Sequence, residues 1–180
     1  MRYLLINPNA ATHITARLAV SARAVLMPGE TLHAVNATQE PAVVRDAATL
    51  AQAELQAVAL FDAHAAAADA VLLGISLDGA AETLRARAGR RTVVGMTEAA
   101  VMGALLTAPR IGLLTLGPAM VPLYAARAAQ MGVAGRVAGS EAPEAPSAFL
   151  PQTMGVDAAT LAALDAAGAR LQAAGAGALV

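Results

Sequence analysis

Two short polar turns hold most of the groups in this chain that could do chemistry. Asn7-Pro8-Asn9 follows the apolar run Tyr3–Ile6, and Gly74-Ile75-Ser76-Leu77-Asp78-Gly79 follows the apolar run Val71–Leu73. Amides, a hydroxyl and a carboxylate suit the holding of a small polar molecule at the carboxyl ends of strands in an open α/β sheet. Asn7 and Asn9 can hold a carbonyl or carboxylate at the start of the next helix, where backbone N–H groups attract anions. The same two residues also suit a turn and a helix cap. Ser76 can donate to a ligand or cap the segment after it. Asp78 is a candidate base beside Ser76, against the plainer role of an exposed turn aspartate. His13, in the first turn of the first helix, is a second candidate base, against a solvated helix histidine. Further along, Thr115 ends another apolar run and can donate to a ligand or bond its own backbone. Tyr124 early in the following helix can do the same or simply pack.

The elements that position these residues alternate between strand and helix. Strand character is read over Tyr3–Ile6, Thr31–Ala37, Asp69–Ser76, Arg91–Met96, Ile111–Leu116 and Arg136–Ser140. Helical spacing is read over Thr12–Met27, with Ile14, Leu18, Ala22, Val25 and Leu26 inward, and over Ala42–Ala67, with Leu50, Leu55, Val58 and Phe61 inward. Further helices are expected over Ala80–Ala88, Thr97–Leu106, Val121–Met131 and Asp157–Ala173, with a long Pro/Ala/Ser-rich loop over 141–156. Such alternation predicts parallel sheets covered on both faces. A strand, polar turn and helix recur at Asn7, Ser76 and Thr115, which suggests two similar halves, 1–96 and 97–180. Gly175–Val180 reads as the start of another buried strand, so further residues are expected after it.

Composition narrows the partners. The 180 residues are 57% hydrophobic and 2% aromatic, with a formal net charge of −1. Many alanines and few aromatics favour packed helices over a β-sandwich. No basic stripe is present, so nucleic acid is not an expected partner. No run of apolar residues has the length and freedom from charge of a membrane span, and no signal peptide is evident, so a soluble cytoplasmic protein is expected. There is no cysteine, hence no disulfide and no thiolate metal site. No His/carboxylate cluster has metal-ligand spacing, and no Gly-rich phosphate loop supports a nucleotide.

Read together, several motifs resemble one family. Ile6-Asn7-Pro8-Asn9 with Thr15, Val93-Val94-Gly95-Met96-Thr97-Glu98-Ala99-Ala100, Ile111-Gly112-Leu113-Leu114-Thr115 with Pro118, and Gly175–Val180 resemble segments of hydantoin and allantoin racemases in the aspartate/glutamate racemase superfamily. The resemblance implies two Rossmann-like lobes, an active site in the cleft between them, no cofactor and a homo-oligomer. It also implies two cysteines, one acting as thiolate base and one as acid across the α-carbon. The first would fall at Gly74, Ile75 or Ser76, and none of these is cysteine. The second would fall just beyond Val180. A serine hydroxyl ionises far above neutral pH and needs a neighbouring base. Gly74-Ile75-Ser76-Leu77, with Tyr124, is also similar to arylmalonate decarboxylases of the same superfamily. In those enzymes hydroxyl and backbone donors cradle a carboxylate, and one late cysteine protonates the intermediate.

Three readings follow. The first is a cofactor-independent racemase acting next to a carbonyl, with Ser76, Asp78 and His13 as candidate catalytic residues. Its substrate would be a small carboxylate or hydantoin held by Asn7, Asn9, Gly74, Ile75, Ser76, Thr115 and Tyr124. The second is a one-cysteine decarboxylase. The third is a non-catalytic protein that binds a small acid or hydantoin on the same scaffold.

Overall fold

The computed structural model describes residues 1–115, 117–143 and 158–180. The chain forms two compact units, Met1–Glu98 and Ala99–Val180. Each is a parallel sheet flanked by helices.

In the first unit, β1 (Arg2–Asn7), β2 (Thr31–Asn36), β3 (Ala70–Leu73) and β4 (Thr92–Gly95) are ordered β2-β1-β3-β4, all parallel. Between them run α1 (Thr12–Arg23), α2 (Ala47–His64) and α3 (Ala81–Arg87). A strand covered on both faces reads as an unbroken apolar run, and Leu4, Leu5 and Ile6 are all buried. Val71, Leu73, Ile75 and Leu84 are likewise almost wholly withdrawn from water. Burying each Val, Leu or Ile side chain contributes about 1.5–3 kcal/mol.

The strand order has a direct consequence. The chain leaves β1 for β2 on one side, then crosses to β3 on the other, so the loops after β1 and β3 diverge from neighbouring strand ends. Ile6 pairs with Leu73, and the Gly74 N–H donates to the Ile6 carbonyl at 2.8 Å. This is the topological switch point where ligands collect in open α/β sheets.

In the second unit, β5 (Ile111–Leu114), β6 (Val137–Glu141) and β7 (Ala178–Leu179) are parallel in the order β6-β5-β7. They alternate with α5 (Val121–Gln130) and α6 (Ala158–Ala173). α4 (Met96–Thr107) starts in the first unit and contributes Val101 to the core of the second, beside Ile111, Leu113 and Ala128. No helix among the described residues is long and apolar enough to cross a membrane.

Two helices differ from the sequence reading. α2 begins at Ala47 rather than near Ala42, because Asp46 accepts the Thr49 N–H at 2.8 Å and caps it. Capping by a side-chain oxygen outweighs the helix propensity of the preceding alanine. Its buried face is Ala53, Ala57 and Phe61, while Leu55 is 73% exposed. α1 stops at Arg23, so Val25 lies beyond it and is 77% exposed, while Thr15 and Ala19 make the buried contacts. The edges of β3, β4 and β5 are shorter than read, and the 141–156 loop falls mostly outside the described residues.

Candidate functional site

The turn after β1 is built by Asn7. Its side-chain oxygen accepts the Asn9 N–H at 3.1 Å, and its amide nitrogen donates to the Thr15 hydroxyl at 2.9 Å. Its carbonyl accepts the Ala37 N–H at 3.1 Å. Asn7 is completely buried, and these bonds make it the bracket that ties the strand end to α1.

Asn9 is different. It is 7% exposed, yet its side-chain oxygen has no hydrogen-bond partner among the described residues. A buried polar atom left unpaired costs about 1–3 kcal/mol. The adjacent end of α1 is also open. Its N-cap is Ala11, no side chain caps it, and its first turn carries no acidic residue. The first N–H groups of a helix lack partners within the helix and carry the positive end of the helix dipole. An orphaned amide oxygen thus sits beside a set of uncapped N–H donors, where a ligand presenting both a donor and an acceptor is matched. His13 lies half-buried in that first turn.

The turn after β3 is held just as closely but faces a different partner. Asp78 is 1% exposed, not on an exposed turn, and its two oxygens accept the Thr97 N–H at 2.7 Å and the Glu98 N–H at 2.8 Å. The Thr97 hydroxyl in turn accepts the Leu77 N–H at 2.9 Å. Asp78 therefore caps α4, as an N-cap aspartate would, although it comes from another loop. A Cβ added to Gly95 would collide with the Asp78 carboxyl group, so only glycine lets strand and carboxylate approach this closely. With both oxygens accepting backbone N–H groups, Asp78 is not placed as a base for Ser76.

Within the same turn, Gly74 and Ile75 are buried; a Cβ at Gly74 would point at Leu18 and Leu5. Ser76 alone of the three reaches solvent, and its hydroxyl bonds to none of the described residues. In the second unit, the Thr115 N–H donates to the Glu141 carbonyl at 3.0 Å, and Tyr124 packs against the core around Ile111 and Leu113. The first unit thus brings Asn9, the α1 amino end and Ser76 to one sheet edge, and it turns Gly74, Ile75 and Asp78 inward. Sequence reasoning missed Gly95 as the residue that admits Asp78, a pairing across 17 positions with no local signal. Among the described residues, no group of three His, Cys, Asp or Glu could hold a metal ion.

The racemase expectation does not survive. It requires a thiolate base in the turn after β3, where Gly74, Ile75 and Ser76 stand instead, and these 180 residues, which contain no cysteine, supply no thiol acid for the one-cysteine decarboxylase either. The nearest hydroxyl, Ser76, has no base beside it in its own turn, because Asp78 is engaged by α4.

Known proteins support the fold. An allantoin racemase from Klebsiella pneumoniae superposes with a TM-score of 0.87 at 23% identity, covering 99% of this chain and 72% of that one. Allantoin racemase AllR from Pseudomonas fluorescens does so with a TM-score of 0.85 at 23% identity, covering 99% and 75%. No curated protein matches the sequence significantly. The Asp/Glu/Hydantoin racemase model matches residues 4–180, and the chain belongs to the Asp/Glu/hydantoin racemase superfamily.

Proposed function

We propose that this chain binds a small hydantoin-like molecule or small acid at the carboxyl edge of the first unit's sheet, without transforming it. The observation that carries the reading is the orphaned, buried Asn9 oxygen beside the uncapped α1. An acceptor without a partner calls for a ligand N–H, and uncapped helix N–H groups call for a ligand oxygen. A hydantoin ring has both, an N–H flanked by carbonyls; a carboxylate satisfies only the helix. Ser76 adds a hydroxyl that can donate or accept. The solved neighbours are allantoin racemases, and allantoin carries a hydantoin ring, which makes it the first probe.

Absence of turnover follows from the same residues. Racemisation takes a base on one face of the ring carbon and an acid on the other. These 180 residues hold no thiol, Asp78 is engaged by α4, and His13, the candidate base left at the α1 amino end, cannot serve both faces. Calorimetric titration with allantoin should show saturable binding that Asn9→Leu weakens at least tenfold, about 1.4 kcal/mol. In deuterium oxide, the ring C–H of bound allantoin should exchange no faster than in buffer. Binding that is unchanged in Asn9→Leu, or no binding of hydantoins at all, would overturn the reading.

A further inference from the structure

At the opposite edge of the first unit's sheet lies an open depression of about 490 Å³, lined by Arg2, Ala66, Ala68, Asp69, Arg90 and Arg91. Three guanidinium groups there face a single carboxylate, in a chain whose formal net charge is −1. Two of the three are fixed by the scaffold. Arg91 donates to the carbonyls of Ala68 and Ala88 at 3.2 Å and of Ala66 at 3.4 Å. Arg2 donates to both Asp69 oxygens, from Nη2 at 2.8 Å and from Nε at 3.4 Å. Arg90 is exposed and makes no hydrogen bond or ion pair with any described residue.

We propose that this depression is a second ligand site, for a phosphate-bearing small molecule. A guanidinium has five N–H donors in a planar fork. Arg91 commits three to carbonyls and Arg2 two to Asp69, so both keep donors in fixed positions, and Arg90 keeps all of its own. Fork-shaped donors on three arginines match the several oxygens and double charge of a phosphate better than a single carboxylate. The walls between them are alanines, so no bulky side chain stands over the charges. Its volume exceeds that of a phosphate ion and lies in the range of small-molecule pockets, which leaves room for an organic group esterified to the phosphate. The site shares no residue with the Asn9 edge, so either can fail without the other.

The test is a titration of the full chain with inorganic phosphate, followed by ³¹P line broadening in low-chloride buffer. Saturable binding is expected below about 10 mM, weakened at least tenfold by Arg90→Gln. Arg90 is exposed and unpartnered, so its loss should leave the melting temperature unchanged. Arg45→Gln removes an equal charge from an exposed position outside the depression and should leave the affinity within about twofold. Equal weakening by the two variants would mean a diffuse charge effect, and it would overturn the proposal. So would an Arg90→Gln protein that binds like the parent, or no saturable binding.

Discussion

The turns after β3 and β5 do the same job in two units, ending a central parallel strand, yet they are built in opposite ways. After β5, the left-handed step falls on a glycine, Gly117 at φ 92°, and Pro118 starts the 3₁₀ turn that leads into α5. That is the cheap solution, since glycine has no Cβ to clash and proline fixes the φ the next turn needs. After β3, three non-glycine residues take left-handed conformations, Leu77 at 67°, Asp78 at 53° and Ala80 at 70°. Each costs about 1–2 kcal/mol. The strain persists because Asp78 and Thr97 over-determine the loop through buried bonds to α4. Strain maintained by surrounding structure concentrates at functional sites, and here it lies beside Ser76, which reaches solvent.

The comparison can be broken most severely at Gly95. Gly95→Val should expel the Asp78 carboxyl group from its place, uncap α4 and lower stability by about 3 kcal/mol or more. Gly117→Ala meets no neighbouring atom but must hold φ 92° and ψ 131°, a backbone conformation that suits glycine, and should cost about 1–3 kcal/mol from backbone strain alone. Denaturant melts of the two variants would check the contrast. Asp78→Ala should cost about 2–4 kcal/mol, the loss of two charge-assisted bonds to buried N–H groups. Ala80→Gly runs the other way. It should stabilise the protein by up to about 1 kcal/mol, because the backbone is already where glycine is at ease.

The smallest effects are expected at ion pairs on the surface, where the two units are alike. Arg2 holds Asp69 down to about 2, through its side-chain and backbone N–H bonds, and Arg170 lowers the Glu141 pKa in the second unit. A carboxylate with a depressed folded-state pKa contributes stability above its unfolded value near 4, lost as the pH falls through the folded one. Arg2→Gln should therefore lower the melting temperature slightly at neutral pH and flatten the loss of stability between about pH 4 and pH 2 by the same small amount, parent and variant converging below about pH 2. Acid titration followed by circular dichroism would show it.

Much of the fold was legible because parallel strands leave a plain signature. Leu4–Ile6, Val71–Leu73 and Ile111–Leu114 are continuous apolar runs, each ended by a polar or glycine-containing turn. The alanine-rich helices were harder. Ala53 and Ala57 are in the core while Leu55 faces water, since close helix–sheet packing selects small residues and α2 has little contrast between its faces. At the candidate site, Asn9 and Ser76 could be picked out as polar residues at strand ends. The inward orientation of Asp78 could not, because it depends on Gly95 and the first turn of α4. Asn7 likewise looks like a ligand residue until Thr15 and Asn9 are seen to occupy its amide.

The central claim is binding without turnover at the Asn9 edge, and one sample can test both halves. Enantiopure allantoin in deuterium oxide with a stoichiometric amount of protein would be followed by proton NMR. Line broadening from binding, absent in Asn9→Leu, with ring C–H loss no faster than in buffer, is the predicted result. Accelerated loss of that proton signal, or racemisation above the buffer rate, would contradict it.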